Sequence, residues 1–365
     1  MQQLSLAHSE FERLIDEVKA CKTCPRMCDS VRVLSWANGA PTAPLMFIGE
    51  APGRLGADRT AIPFHGDKAG DNFEKLLELA GLSRSDVFVT NAVLCNPRDA
   101  NGNNAPPNES EISNCAKHLA KQIALVQPAM VMTLGSVALE ATRRIERHEL
   151  TLRGDVRTSS RWNGRLLLPL YHPGARAMIH RSFANQTADY YFVGETFRRL
   201  GKPKKARAAT ERGSPMDWDI VQSMLSVQRE ASIFRLHKLL YLIDYLALRK
   251  LGRRATRFLY LRQKDGPYCV ELGSRWYQRF DQVKVQKSDA SLRIVWLEGD
   301  LFTTSATTVD GDLREVIDEV VHSTATLTDS ALKTRVYLTP PMKRLLREEK
   351  AGERRLNYPI QLDAA

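Results

Sequence analysis

The sequence predicts an α/β fold with a central parallel sheet covered by helices, followed by a second, α-rich domain. Over the first 200 residues, short apolar runs alternate with amphipathic segments. A loop rich in Gly and Pro follows the first apolar run, and a long helical pattern dominates the remainder of the chain. Strands separated by helical patterns imply parallel pairing, because a parallel connection needs a crossover segment.

Four apolar runs predict the strands of the sheet, namely Leu45–Ile48, Val87–Val93, Met130–Leu134 and Leu166–Leu170. Four amphipathic segments predict helices, namely Asp71–Ala80, Ser110–Leu125, Val137–Arg147 and Thr187–Arg199. Ser110, followed by Glu111, is typical of a helix start. Parallel sheets bind ligands at the carboxyl ends of their strands. The loop that leaves the first strand is therefore correctly placed for a site.

The chain divides into two predicted domains, residues 1–200 and 215–365. Between them, the segment 201–214 holds five basic residues and one acidic residue, which is typical of a flexible basic linker. In the second domain, Ile233–Leu251 carries apolar residues at helical spacing and ends before Gly252, which predicts a long helix with a glycine cap.

Composition and charge narrow the functional classes. The chain has 365 residues, 43% of them hydrophobic, and no run reaches the roughly 18 uncharged apolar residues of a membrane helix. Its polar start does not resemble a signal peptide, so we expect a cytoplasmic protein without a membrane partner. The net charge is +11, with nine arginines against three acidic residues over 141–183. Such a basic stripe fits either a DNA backbone or a solvated helix face.

Six cysteines in a reducing compartment indicate metal binding or catalysis rather than disulfides. Cys21 and Cys24 form a CxxC pair, Cys95 follows the second predicted strand, and Cys115 lies in the helix after it. Four thiolates fit zinc or a [4Fe–4S] cluster, and their spacing does not distinguish the two. A four-cysteine site does not need Cys28, which is either a small buried residue or a replacement for Cys24.

Four segments together resemble a known family. They are CKTC at Cys21–Cys24, LMFIGEAPG at Leu45–Gly53 with PFHGDKAG at Pro63–Gly70, TNAVLC at Thr90–Cys95, and YHPGA at Tyr171–Ala175. In this order, residues 15–200 resemble family 4 uracil-DNA glycosylases, the iron–sulfur branch of their superfamily. The resemblance implies a three-layer α/β/α sandwich. It also implies a [4Fe–4S] cluster held by Cys21, Cys24, Cys95 and Cys115. The stretch DANGNNA at Asp99–Ala105 makes the Cys95-to-Cys115 gap longer than is usual in the family.

A glycosylase of this kind acts on a nucleotide extruded from the DNA helix and recognises its exposed edge. By the resemblance, Phe64 stacks on the flipped pyrimidine, and the amide of Asn91 pairs with N3–H and O4 of uracil. Gly49 and Ala51 leave room for backbone N–H groups near the base. The alternatives are a core phenylalanine and a strand-end asparagine with structural roles only.

Two residues are candidates for catalysis. His172, held in an HPG turn, can stabilise the charge that develops at O2 of the leaving base. Glu50, directly after the first strand, can order the attacking water and offset positive charge at C1′. Either residue could instead have a purely structural role.

The second domain carries a weaker resemblance. The segments Lys238–Gly252 and Tyr260–Leu272 resemble the Panacea (SocA-like) domain of antitoxin-linked proteins, which implies an interaction module with a protein partner. The alternative is a helical appendage that stabilises an oligomer. The sequence therefore predicts a DNA glycosylase that removes a flipped-out uracil or modified pyrimidine, in base excision repair or anti-phage defence. One alternative is a glycosylase specific for a modified phage base. Another is a non-catalytic DNA- or toxin-binding protein.

Overall fold

The computed structural model describes residues 2–200, 215–273, 276–287, 292–297 and 309–362. The chain forms two compact units, Met1–Gly201 and Lys202–Ala365. The predicted linker, residues 201–214, lies outside the described residues.

A five-stranded sheet forms the centre of the first unit. Its strands are β1 (Leu45–Gly49), β2 (Val87–Asn91), β3 (Met130–Leu134), β4 (Ser160–Trp162) and β5 (Arg165–Leu170), in the order β2-β1-β3-β5-β4. The pairs β1–β2, β1–β3 and β3–β5 are parallel, as predicted, and β4 pairs antiparallel with β5. Sequence reasoning missed β4 because its three residues are too few to show a period.

Helices cover both faces of this sheet. They are α1 (Gln2–Lys19), α2 (Ala57–Thr60), α3 (Lys68–Leu79), α4 (Glu109–Val126), α5 (Ser136–Arg143), α6 (Leu152–Asp155), α7 (Ala175–Met178) and α8 (Phe183–Leu200). Successive residues of β1 point to opposite faces. Leu45 and Phe47 join a core with residues of α3 and α8, whereas Met46 and Ile48 join a core with residues of α1 and α4. The first unit is therefore a three-layer α/β/α sandwich, which confirms the predicted fold.

All four predicted helices of the first unit begin earlier than predicted, and in two of them a side-chain cap outside the apolar pattern sets the start. Helix α4 begins at Glu109, and its N-cap is Asn108, whose side chain accepts a hydrogen bond from the backbone N–H of Glu111. Helix α3 is capped by Asp67, which accepts from the N–H of Gly70. The second cap places a carboxylate at the end of the loop that follows β1.

The described residues of the second unit are rich in helices and form two small sheets. Its elements are α9 (Pro215–Gln228), β6 (Glu230–Ser232), α10 (Ile233–Leu251), β7 (Tyr260–Gln263), β8 (Gly266–Cys269), β9 (Val283–Lys287), β10 (Leu292–Trp296), α11 (Gly311–Thr324), α12 (Asp329–Tyr337) and α13 (Pro340–Lys350). Strands β6, β10 and β9 form one sheet, and β7 with β8 forms a hairpin. Helix α10 has the predicted bounds, and Gly252 caps it in the left-handed conformation. No helix among the described residues has the length and apolarity to cross a membrane.

Buried polar contacts tie α10 to the β7–β8 hairpin. Nδ1 of His237 accepts from the backbone N–H of Cys269 at 3.1 Å, and Nζ of Lys238 donates to the carbonyl of Pro267 at 3.0 Å. Asp244 accepts from the hydroxyl of Tyr260 at 2.7 Å. Burial lowers the pKa of His237 to about 3 and that of Lys238 to about 8. The two segments of the second resemblance are thus joined in the core of their unit.

Candidate active site

A pocket of about 520 Å³ lies at the carboxyl ends of β1, β2 and β5, within the range of about 300–1,000 Å³ that holds small ligands. The chain leaves β1 toward α3 and leaves β2 toward α4, and these helices lie on opposite faces of the sheet. Diverging connections open a crevice between the strand ends, which is where parallel sheets bind ligands.

The structure brings the predicted site residues together. The residues that line the pocket include Glu50, Ala51, Phe64, Asn91 and His172. Gly49, the last residue of β1, pairs with Asn91 in the sheet and lies beneath the side chains of Asn91 and Phe64.

Gly49 allows an aromatic ring and an amide to approach each other over β1. A Cβ at this position would lie 2.7 Å from Cε2 of Phe64 and closer still to Oδ1 of Asn91, so any other residue would displace one of them. Asn91 is 2% exposed, and its Oδ1 is buried without a hydrogen-bond partner among the described residues. An unpaired buried acceptor costs about 1–3 kcal/mol, so this oxygen is available to a ligand.

Phe64 adopts a backbone conformation that is unusual for a bulky residue. Its φ angle is +51°, in the left-handed region, where non-glycine residues carry strain of about 1–3 kcal/mol. The ring packs against Phe73, with centroids 4.9 Å apart, and against His172, with centroids 5.4 Å apart. Tertiary packing therefore holds the ring at the pocket wall, although this conformation is unfavourable for the isolated loop.

His172 is fixed in one tautomer by its own turn. The backbone N–H of Gly174 donates to Nδ1 at 3.0 Å, so in the neutral ring the remaining proton is on Nε2. Asn72, from α3, donates to the carbonyl of Pro173 at 2.8 Å and anchors the turn. Burial lowers the pKa of His172, which Asp67 partly opposes. The ring is therefore a neutral N–H donor near neutral pH.

Burial shifts the pKa of Glu50 in the direction opposite to that of His172. Burial raises the pKa of its carboxyl above the ordinary value, and the charge of Arg176 partly opposes this shift. Its backbone carbonyl accepts from the N–H of Val93 at 3.1 Å, which holds the residue at the end of the sheet. The carboxyl thus takes up a proton more readily than an exposed glutamate.

Sequence reasoning missed a further wall of the pocket, formed by Asn96, Pro97, Asn104 and Ala105. Oδ1 of Asn104 accepts from the backbone N–H of Arg54 and from Nδ2 of Asn96, both at 2.9 Å. Asn96, which is 1% exposed, also donates to the carbonyl of Pro52. The lengthened segment Asp99–Ala105 therefore clamps the loop after β1. Its extra length was the available signal, but length alone does not show where a loop folds.

Several arginines of the predicted basic stripe over 141–183 form hydrogen bonds or ion pairs within the protein. Arg143 donates to the carbonyl of His148, Arg165 donates to the carbonyl of Ile123, and Arg181 pairs with the buried Asp189. Arg176, in contrast, is exposed and lines the pocket. The arginine content of this segment therefore overstates the positive charge available to a polyanion.

The four predicted cysteine ligands line a second, smaller cavity of about 30 Å³. Cys21 and Cys24 lie in the loop after α1, Cys95 follows β2, and Cys115 lies in α4. Burial raises the pKa of the Cys95 thiol to about 11 and that of Cys115 to about 12. Such thiols ionise at neutral pH only beside a strong positive charge such as iron or zinc.

Two observations refine this cysteine site. Cys28 is not among the residues that line the cavity, and its thiol donates to the carbonyl of Cys24 instead. Among the described residues, no group of three or more His, Cys, Asp or Glu side chains meets the geometry for holding a metal ion.

The first unit of the chain is similar to known proteins. Residues 36–192 match the model of the uracil DNA glycosylase superfamily. The type-4 uracil-DNA glycosylase of Saccharolobus solfataricus is 36% identical over 171 residues, which are 45% of this chain and 76% of that protein. The type-4 enzyme of Thermotoga maritima is 31% identical over 165 residues, which are 45% of this chain and 81% of that protein.

A third relative is matched over a shorter length. The type-4 uracil-DNA glycosylase of Sulfurisphaera tokodaii is 36% identical over 125 residues, so this chain spans about half of it, 54%, and the match covers 34% of this chain. The fold, the pocket and these relatives together define a DNA glycosylase. The chain belongs to the uracil-DNA glycosylase superfamily.

The Asn104 clamp gives a first prediction. Asn104→Ala removes the acceptor for the N–H of Arg54, so hydrogen exchange at that amide should accelerate at least about tenfold, the equivalent of about 1.4 kcal/mol. Asn104→Asp keeps the acceptor oxygen and should preserve protection. Hydrogen–deuterium exchange resolved to single amides measures both. Asn103→Ala, an exposed neighbour in the same segment, is the control. Equal protection in Asn104→Ala and the unmodified protein would show that the clamp is not needed.

Proposed function

We propose that this chain hydrolyses the N-glycosidic bond of a uracil flipped out of DNA and leaves an abasic site. The observation that carries the proposal is the convergence of Glu50, Phe64, Asn91 and His172 on one pocket at the strand ends. A stacking ring, an edge-reading amide, a neutral N–H donor and one carboxylate are the groups that this reaction requires.

Base recognition is assigned to Phe64 and Asn91. The ring of Phe64 provides a stacking face, and such stacking contributes roughly 1–3 kcal/mol per base. The unpaired Oδ1 of Asn91 accepts from N3–H of uracil, and its Nδ2 donates to O4. Cytosine offers an acceptor at N3 and a donor at C4, so the same amide orientation rejects it. Gly49 and Ala51 supply the space at the base edge.

Bond cleavage is assigned to His172 and Glu50. As the bond between N1 and C1′ breaks, its electron pair moves onto the base, and the Nε2–H of His172 donates to O2, where charge accumulates. The Glu50 carboxylate orders a water molecule and stabilises the cationic sugar. The water oxygen then bonds to C1′, and Glu50 accepts its proton.

Single-turnover release of uracil from a uracil-containing oligonucleotide tests the proposal. Glu50→Gln removes the base and should slow release by about 10²–10⁴-fold. His172→Phe removes the donor and should slow it by about 10²–10³-fold. Glu109→Gln, an exposed position in the first turn of α4, is the control and should keep full activity.

The same assay separates the alternatives. Release from an oligonucleotide with a modified pyrimidine, but none from uracil, would favour the glycosylase specific for a phage base. DNA binding with no release from any substrate would favour the non-catalytic protein.

The electrostatics of Glu50 give a prediction for pH dependence. The carboxylate must be ionised, so activity falls as pH decreases through its pKa, which burial places above the ordinary value of 4.5. Arg176→Gln removes a charge that lowers this pKa, so the acid limb of the single-turnover rate should move to higher pH. Arg54→Gln, also exposed at the loop after β1, should weaken DNA binding without moving the limb. An unmoved limb in Arg176→Gln would exclude Glu50 as the titrating group.

We also propose that Cys21, Cys24, Cys95 and Cys115 hold a [4Fe–4S] cluster. Their common cavity supports this proposal, because four thiolates are the ligand set of such a cluster. The cluster would pin the loop after α1 to the segment after β2 and to α4. These residues are distinct from those assigned to the base, so the role of the cluster is structural.

For the second unit we propose an interaction module that binds a protein partner and links base excision to anti-phage defence. The resemblance over Lys238–Gly252 and Tyr260–Leu272 supports it. His237 and Lys238 are used in internal hydrogen bonds, so they serve the fold rather than catalysis, which also fits an interaction module.

Cells that produce the full chain should plate a phage with uracil-containing DNA at least tenfold less efficiently than cells producing Glu50→Gln. A phage with thymine-containing DNA is the control. Equal plating on both strains would contradict the defence role.

A further inference from the structure

His118 is a buried histidine whose ring forms no hydrogen bond with the described residues. It lies on α4, three residues after Cys115, is 2% exposed, and lines the same cavity as the four cysteines. Both ring nitrogens are buried and have no hydrogen-bond partner within the described part of the chain. Buried polar atoms in folded proteins are nearly always paired, and each unpaired one costs about 1–3 kcal/mol. The described part of the chain thus supplies no hydrogen-bond partner to the ring, which leaves its N–H available to another group.

The nearest protein group does not fill this role. Oε1 of Glu17 lies 3.6 Å from Nδ1 of His118, which is too far for a good hydrogen bond. Both carboxylate oxygens of Glu17 already accept from Nζ of Lys121, at 2.8 and 2.6 Å. Glu17 is thus paired at the surface, and the buried imidazole keeps its donor.

Three other polar side chains that line the cavity already have partners. Arg32 donates to the backbone carbonyls of Cys21 and Ser30. Asn114 lies 3.5 Å from the sulfur of Cys24, and Thr23 lies 3.4 Å from the sulfur of Cys21. Sulfur is therefore an acceptor that this cavity offers to its donors. Lys22 also lines the cavity but is exposed, whereas His118 is a buried donor with no partner among the described residues.

We propose that His118 donates a ring N–H to a sulfur of the iron–sulfur cluster, either a thiolate or a sulfide, and thereby raises the cluster's reduction potential. The inference rests on the cluster assigned under Proposed function. An imidazole carries at least one N–H in either protonation state. A hydrogen bond to sulfur stabilises the more electron-rich, reduced cluster, and such bonds are a main determinant of cluster potential. His118 is a positioning and tuning residue and does not contact the base.

Electrochemical titration of the full-length protein tests the inference. His118→Phe keeps ring volume but removes the donor, so the ratio of reduced to oxidised cluster at a fixed ambient potential should fall about tenfold, equivalent to a shift of 59 mV for one electron. His118→Gln returns an N–H and should restore part of the shift. His148→Phe is the matched control, because that histidine bonds Thr142 and does not line the cavity. A potential that is unchanged in His118→Phe would overturn the inference.

A measurement on the unsubstituted protein tests the inference even if the variants misfold. With ¹⁵N-labelled histidine, pulsed electron paramagnetic resonance of the reduced cluster should detect a nitrogen coupling that His118→Phe lacks. The absence of any such coupling in the unsubstituted protein would also overturn the inference. Iron and sulfide content and uracil release are measured in parallel. Iron-free protein would contradict the proposed cluster, whereas normal iron with no uracil release would contradict the proposed function alone.

Discussion

The close approach of Phe64 and Asn91 over Gly49 is the constraint on which the candidate active site depends. Gly49 and Asn91 are register partners in the parallel pair β1–β2, so the position of the amide is set by the sheet itself. The missing Cβ at Gly49 lets the ring of Phe64 cross the strand end. Rigid strands therefore fix both recognition groups, and the strain at Phe64 is offset by aromatic packing against Phe73.

Burial has opposite effects on the two candidate catalytic residues. Desolvation disfavours the charged form of each group, so it raises the pKa of Glu50 and lowers that of His172. The histidine is thus kept neutral, as a hydrogen-bond donor to an oxyanion should be. The carboxyl gains basicity and so becomes a better proton acceptor. One apolar enclosure therefore favours the required state of His172 and the required reactivity of Glu50, with Arg176 limiting the shift of the latter.

The sequence predicted the parts of this structure that depend on local pattern and strand order. Parallel strands end at one edge, so residues at or just after the ends of β1, β2 and β5 had to meet there, and Glu50, Asn91 and His172 do. The pocket wall at Asn104 and the orphaned ring of His118 were not predicted. Their roles depend on which loop folds onto which strand end, and neither an exposed asparagine nor a histidine in an amphipathic helix has a periodic signature.

The cysteine cavity and the pocket are linked through one short stretch of chain. Asn91 ends β2 and faces the pocket, and Cys95, four residues later, lines the cysteine cavity. The next residue, Asn96, turns back to the pocket and bonds the loop after β1. A group that fixes Cys95 therefore restricts both walls of the pocket without touching the base. The cluster proposed for these cysteines would therefore contribute rigidity to a hydrolytic site, and the proposed tuning of its potential by His118 would add a property that hydrolysis itself does not require.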